Sequence, residues 1–214
     1  MKRIYLIMLV VAATMMMSCK HDNKIAGHEY VDLGLPSGLK WATCNVGAEN
    51  PEESGNYYAW GETVTKDEYT EDNSLIFGLS RSELKAQGII DEKNHLTQSY
   101  DAAAVNWGGS WRMPTSKEFG ELIDNCTFER TTQNGIEVCK VTSKTNGNYI
   151  FLPITGYMSG SELVSGNGYY WSSTPNSSKN TESYFLVFNE EDGCWCSSVT
   201  DSRPDGMAVR PVSK

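Results

Sequence analysis

The stretch WGGSWRMPTSKEFGELI, residues 107–123, carries the clearest structural signal in the chain. Gly108 and Gly109 interrupt any preceding element, and Thr115 and Glu118 then stand at the spacing of a capping box. In that motif the threonine hydroxyl accepts the amide hydrogen of residue 118, and the Glu118 carboxylate reaches back to the amide of residue 115. Phe119, Leu122 and Ile123 follow on one helical face. The pattern predicts a short amphipathic helix after Thr115, packed on a core and ending near Asp124-Asn125. Immediately upstream, DAAAVNW at 101–107 holds good helix formers and predicts another short helix.

Working outward, most of the remaining pattern is strand and turn. Tyr30 to Leu35 and Leu39 to Val46 flank Pro36-Ser37-Gly38 and read as a hairpin. Tyr57 to Trp60 reads as a short aromatic strand, and Ile136 to Ser143 and Tyr149 to Ile154, around Asn146-Gly147, as a second hairpin. Gly156 to Gly168 has the composition of a connection, and Tyr169 to Ser173 that of a short strand. Tyr184 to Phe188 alternates as a half-buried strand would, and Met207 to Val212 reads as the closing strand. Residues 63–98 are polar and irregular, with one helical candidate near Ser82 to Gln87, and read as a long insertion. The expected class is α+β, with small twisted antiparallel sheets, one or two short helices and extensive ordered loops.

The N-terminus has the marks of an export signal. Lys2 and Arg3 precede an uncharged apolar run from Ile4 to Met17, about 14 residues, where a membrane-spanning helix needs roughly 20. Ser18 directly before Cys19 resembles the site at which bacterial lipoprotein signals are cleaved and the cysteine acylated; the alternative is an ordinary secretory signal. Residues 1–18 are therefore expected to be a lipoprotein signal peptide, 19–28 a lipidated tether, and 29–213 the domain. Lys20 after the cysteine points to the outer membrane, where the lipid anchor would hold the chain; display at the cell surface is an expectation of a binding role, not of this residue. Without the signal the net charge moves from −9 to about −11, which argues against nucleic acid as a partner. Five cysteines remain besides Cys19, so at least one thiol stays unpaired within a monomer.

The residues offer no converging catalytic set. His21 falls in the tether, His28 at the domain edge and His95 in the polar insertion, leaving no evident base for a nucleophile. No catalytic residue, metal site or cofactor is expected. Glu190-Glu191-Asp192 reads as a solvated corner. In Cys194-Trp195-Cys196 an extended backbone would place both thiols on one face and Trp195 on the other, a poor geometry for a mutual disulfide. Two sulfurs at that spacing could contribute to a soft-metal site, but no further ligands are evident beside them. Trp41, Trp107, Trp111 and Trp171 read as packing residues, and Trp195, among small polar neighbours, as an exposed contact.

Six phrases taken in order, YVDLGLPSGLKWATCNVGA (30–48), YYAWGE (57–62), WGGSWRMPTSKEF (107–119), IFLPITGY (150–157), GYYWSST (168–174) and MAVRPV (207–212), resemble the Fibrobacter succinogenes major paralogous domain, a family abundant in lipoproteins of gut Bacteroidales. The resemblance covers nearly all of residues 29–213 and implies a C-type lectin-like fold, related to the formylglycine-generating enzymes. The calcium-sugar triplets of C-type lectins are missing, and neither Cys194 nor Cys196 matches the enzymes' active-site motif. The implied activity is binding of a glycan or protein ligand. The alternatives are a structural or adhesive envelope component and an enzyme of the formylglycine-generating group. Phrases that look fixed bracket the stretches Pro175 to Asn180 and Gly193 to Asp205, so ligand-binding residues are expected at Asn176, Ser178, Asn180, Cys194, Trp195, Cys196, Ser198 and Asp201. Similar domains diversified by retroelements vary in this part. All of these positions except Trp195 carry residues that randomised adenine-containing codons can reach.

Overall fold

The computed structural model describes residues 23–189 and 199–214, and the backbone of 194–195. The helix anchored by Thr115 forms as its sequence predicts. In α3 (Ser116–Asn125), preceded by α1 (Arg81–Ala86) and α2 (Ala102–Trp107), the Thr115 hydroxyl accepts from Glu118 N at 3.2 Å and Glu118 Oε2 accepts from Thr115 N at 2.8 Å. Phe119 and Leu122 are fully buried, and Ile123 packs beside them. Asp101 caps α2, accepting from Ala104 N at 3.0 Å.

The described residues form four small sheets, all antiparallel within the named strands. The first joins β1 (Lys24–Ile25), β2 (His28–Asp32), β3 (Lys40–Ala42) and β13 (Val212–Ser213) in that order. It places both ends of the fold together, with Val31 and Val212 flanking Trp41. The polar composition of 19–28 had suggested a tether throughout, yet β1 belongs to the fold. Ala26 (φ 47°) and Gly27 (φ 86°) supply the positive-φ pair of a two-residue turn, which folds Lys24–Ile25 onto His28–Glu29. Ile25 O then accepts the indole hydrogen of Trp111 at 2.7 Å.

The second sheet contains β4 (Cys126–Gln133), β5 (Ile136–Ser143) and β6 (Tyr149–Pro153). Strand β4 follows α3 without a linker, and its mostly polar sequence conceals it; the Asn134-Gly135 turn, at φ 50° and 82°, is its readable mark. A two-stranded hairpin, β7 (Tyr157–Ser159) with β8 (Glu162–Val164), occupies the segment expected as plain connection. The expected strand over Tyr57–Trp60 reduces to one bridge, Tyr58 to Met207. The closing strand reduces to Val212–Ser213, because Met207 to Pro211 divides its hydrogen bonds between Tyr58, Val46 and Ala42 on one side and Trp171 on the other.

The last sheet organises the molecule. Strand β10 (Glu182–Phe188) pairs with β9 (Gly168–Pro175) and, through other residues, with β11 (Cys194–Trp195) and β12 (Thr200–Ser202). It is not half-buried: Phe185, Leu186, Val187 and Phe188 are each 7 % exposed or less. The side-chain alternation of a strand sends Leu186 and Phe188 into one core and Phe185 and Val187 into a second. Neighbouring Tyr170 and Trp171 divide in the same way.

The first core gathers Leu33, Leu39 and Trp41 from the N-terminal region, α3, and the inward residues of β5 and β6. The second gathers Val46, Tyr58, Trp60 and α2, closed over by Ile76, Leu84, Ile89, Ile90 and Leu96. Those five belong to residues 63–98. The polar stretch is thus an ordered cover for half of the buried interior, although it carries little regular structure beyond α1 and a 3-10 turn. Arg203 fastens it: Nη1 donates to Leu79 O at 2.9 Å, Nε donates to Ser183 Oγ at 3.2 Å, and the guanidinium lies 4.9 Å from the Trp60 ring centroid. Burial, with no acid partner among the described residues, pulls its pKa down to about 10. A second buried arginine, Arg210, donates to Ala42 O, Thr43 O and Asn45 Oδ1.

Candidate functional site

The expected ligand-binding residues are divided by the frame that carries them. The 176–181 loop leaves β9 at Pro175 and enters β10 at Glu182. Asn176 is its strut: Oδ1 accepts from Ser178 N at 2.8 Å and Lys179 N at 3.2 Å, while Nδ2 donates to Thr200 Oγ1 at 3.2 Å. Thr200 and Lys179 both donate to the Glu182 carboxylate. Burial opposes ionisation of Glu182, but these bonds outweigh it and hold the carboxyl below its ordinary range. The residues on the crown of the loop, Ser177 to Asn180, are exposed, so Ser178 and Asn180 present side chains outward where Asn176 holds the base.

Asp201 joins this group through β12, where it pairs with Ser183. It is half-buried, and burial raises its pKa. Asp205 lies close by, raised to about 6 by burial and then by the Asp201 charge. The Tyr157 hydroxyl lies near both and is raised by burial first.

Cys194 and Trp195 lie at the other end of β10, opposite Phe188 and Val187. With a four-residue step from the Ser183 pairing to the Val187 pairing, the backbone of Trp195 is about 13 Å along the strand from that of Asp201. The expected residues therefore belong to two ends of one interrupted return strand. The side chains of Cys194 and Trp195, and all of Cys196 and Ser198, lie outside the described residues, as do Cys19 and the signal segment.

Clefts also lie away from these loops among the described residues, two of them large. One, of about 490 Å³, is lined among others by Asp91, Lys93, His95, Asp101, Arg112 and Lys214. The other, of about 470 Å³, contains His28, Cys44 and Trp107. There the His28 imidazole stacks on Trp107 at 3.7 Å with planes 3° apart, and the Cys44 thiol donates to Glu49 O at 3.6 Å. Both groups are engaged elsewhere than with each other. Trp41, Trp111 and Trp171 are fully buried, as packing residues should be, while Trp107 is part-exposed in this stack. Cys44, Cys126 and Cys139 are free thiols; burial pushes Cys126 up to about 11 and Cys139 to about 12, which makes both unreactive at neutral pH.

Sequence reading passed over Arg203, Asp205 and the 490 Å³ cleft. The cleft is assembled from three separated segments, and no local pattern marks it. Among the described residues, no group of three His, Cys, Asp or Glu side chains has an arrangement that could hold a metal ion, and no helix is long and apolar enough to cross a membrane. No family model, curated protein or solved structure matches the chain.

Proposed function

We propose that this chain is a lipid-anchored binding protein of the bacterial envelope, displayed on the outer membrane, whose C-type lectin-like domain takes a glycan or protein ligand on its C-terminal loops. The observation that carries the reading is the contrast between frame and crown. Strands β9 and β10 are buried on both faces, and the Asn176, Glu182 and Thr200 bonds lock the loop base to them, while Ser177 to Asn180 stand exposed. Rigid scaffolds that hold exposed polar loops are where recognition residues concentrate, because the ordering cost is met before the ligand arrives. The order of the six sequence phrases supports membership of the Fibrobacter succinogenes major paralogous domain family, and retroelement diversification of these loops is part of the same proposal.

Two measurements test it. Cys19→Ala should release the protein from membranes into the soluble fraction; retention would remove the anchor from the proposal. Glycan arrays and surface-extract pull-downs with that released protein should yield a partner whose binding is abolished when Cys194, Trp195, Cys196 and Asp201 are together replaced by Ala. Unchanged affinity in that folded variant would move the site off these loops.

An envelope-assembly role draws on a separate observation. Strand β4 pairs only with β5 among the described residues, leaving an eight-residue edge, and Ile136 and Tyr149 are exposed on the same sheet. Self-association of the released protein, lost on Thr131→Pro in β4, would favour it.

A further inference from the structure

The 490 Å³ cleft is lined by seven ionisable side chains whose formal charges nearly cancel. Their hydrogen-bonding capacity does not cancel, because most of the carboxylate oxygens already accept bonds from groups of the fold. Asp101 is 2 % exposed, and its two oxygens accept from Ala104 N at 3.0 Å and Met113 N at 2.8 Å. Asp91 Oδ1 accepts from Lys93 N and His95 N, each at 2.9 Å. Glu118 accepts from Thr115 N and from both terminal nitrogens of Arg112, at 2.7 and 2.5 Å.

The bases are in the opposite condition. Arg112 meets Glu118 end-on through Nη1 and Nη2, and Nη1 also donates to Met113 O at 3.0 Å. End-on pairing leaves the side edge of the guanidinium, Nε and the second Nη2 hydrogen, without a partner among the described residues. That edge is a two-donor fork matched to a carboxylate or phosphate. The ammonium groups of Lys93 and Lys214 likewise have no partner among the described residues. His95 stands among Asp91, Glu118, Arg112 and Lys93; burial is the first cause that lowers its pKa and favours the neutral ring.

We propose that this cleft binds a small oxyanion-bearing molecule, a carboxylate or phosphate carried on a body about the size of one sugar ring, with the free edge of Arg112 as the fork and Lys93 and Lys214 closing over it. The volume suits such a ligand. The site is independent of the loop crown, so its failure would leave the binding reading of those loops intact.

The test titrates the purified full-length protein with D-glucuronate, inorganic phosphate and D-glucose, following the His95 imidazole by NMR. Glucuronate, phosphate or both should bind saturably, in the millimolar range or tighter. Binding should move the His95 resonances, raise its pKa by bringing a negative charge beside it, and weaken about tenfold in the K93Q/K214Q double variant. Binding of both anions assigns a general oxyanion site, and binding of one alone names its chemistry. Glucose binding as well as glucuronate, no saturable binding of either anion, or equal affinity in K93Q/K214Q would each overturn the proposal. Both lysines are exposed, so that variant should fold normally.

Discussion

The two cores on either side of β10 contain comparable apolar sets but are built by opposite means. The first is walled by α3 and the β4–β6 sheet, elements whose own periodicity places their inward residues. The second is closed by residues 63–98, where Leu84 and Leu96 stand singly among polar neighbours, Ile76 is the buried member of Leu75-Ile76-Phe77, and all three are held by loops, one short helix and Arg203. Regular secondary structure is thus not a requirement for burial in this fold. A segment with few backbone pairings can cover a core if its isolated apolar residues meet the same surface and its polar atoms find partners, as Glu62 does with Lys66 (2.6 Å) and Leu75 N (3.0 Å).

If the irregular cover bears as much of the stability as the regular wall, matched truncations on the two sides should cost alike. Trp60→Ala in the second core and Phe119→Ala in the first should each lose about 3–5 kcal/mol, and Leu84→Ala and Leu122→Ala about 2–5 kcal/mol, read from urea denaturation midpoints at constant slope. A loss near zero for Leu84→Ala, or a separate early transition for the cover, would show that the second core is a detachable layer.

A smaller effect distinguishes the cores by pH. Asp101 beside the second core is raised to about 6 by burial, against an unfolded value of 3.8. The raised carboxyl favours its protonated form in the fold, so its contribution is complete below the unfolded value and is lost as pH rises through about 6. Between pH 5 and 7.5 the protein should lose on the order of 1–2 kcal/mol from this group. The thiols of the first core, raised to about 11 and 12, stay neutral throughout that range and contribute no such slope. Urea midpoints at the two pH values should differ in the native protein, and Asp101→Asn should remove most of the difference; an unchanged slope would locate it elsewhere.

The smallest expected effect concerns the regular side. Thr115→Ala removes the acceptor for Glu118 N and should cost about 1 kcal/mol without altering partner choice. Loss of binding in that folded variant would give α3 a part in recognition.

These contrasts explain which features could be read from the chain. Thr115, Glu118, Phe119 and Leu122 announce α3 because every interaction that starts the helix lies within a few residues. Strand β5 was legible over its full length and β6 nearly so, through alternation and the Asn146-Gly147 turn. Strand β4 was not, since CTFERTTQ is mostly polar; its partly covered residues become visible only against β5. In the candidate site the exposure of Ser178 and Asn180 follows from composition, while Asn176 is drawn inward by Thr200, a residue 24 positions away.

By itself, the sequence determined the α+β character, the small antiparallel sheets, the helix caps, the hairpin turns and the acidic balance, because these depend on neighbours within about one turn or one hairpin. Tertiary structure alone decided that β10 is buried on both faces, that residues 63–98 seal a second core, and that Arg203 lies against Trp60. It also brought Asp91, Asp101, Arg112 and Lys214 around one cleft. The physical reason is that burial belongs to the meeting of distant segments: a lone Leu96 in a polar stretch has no period to reveal its direction, and acquires one only when Trp60, Trp171 and β10 supply the surface it covers.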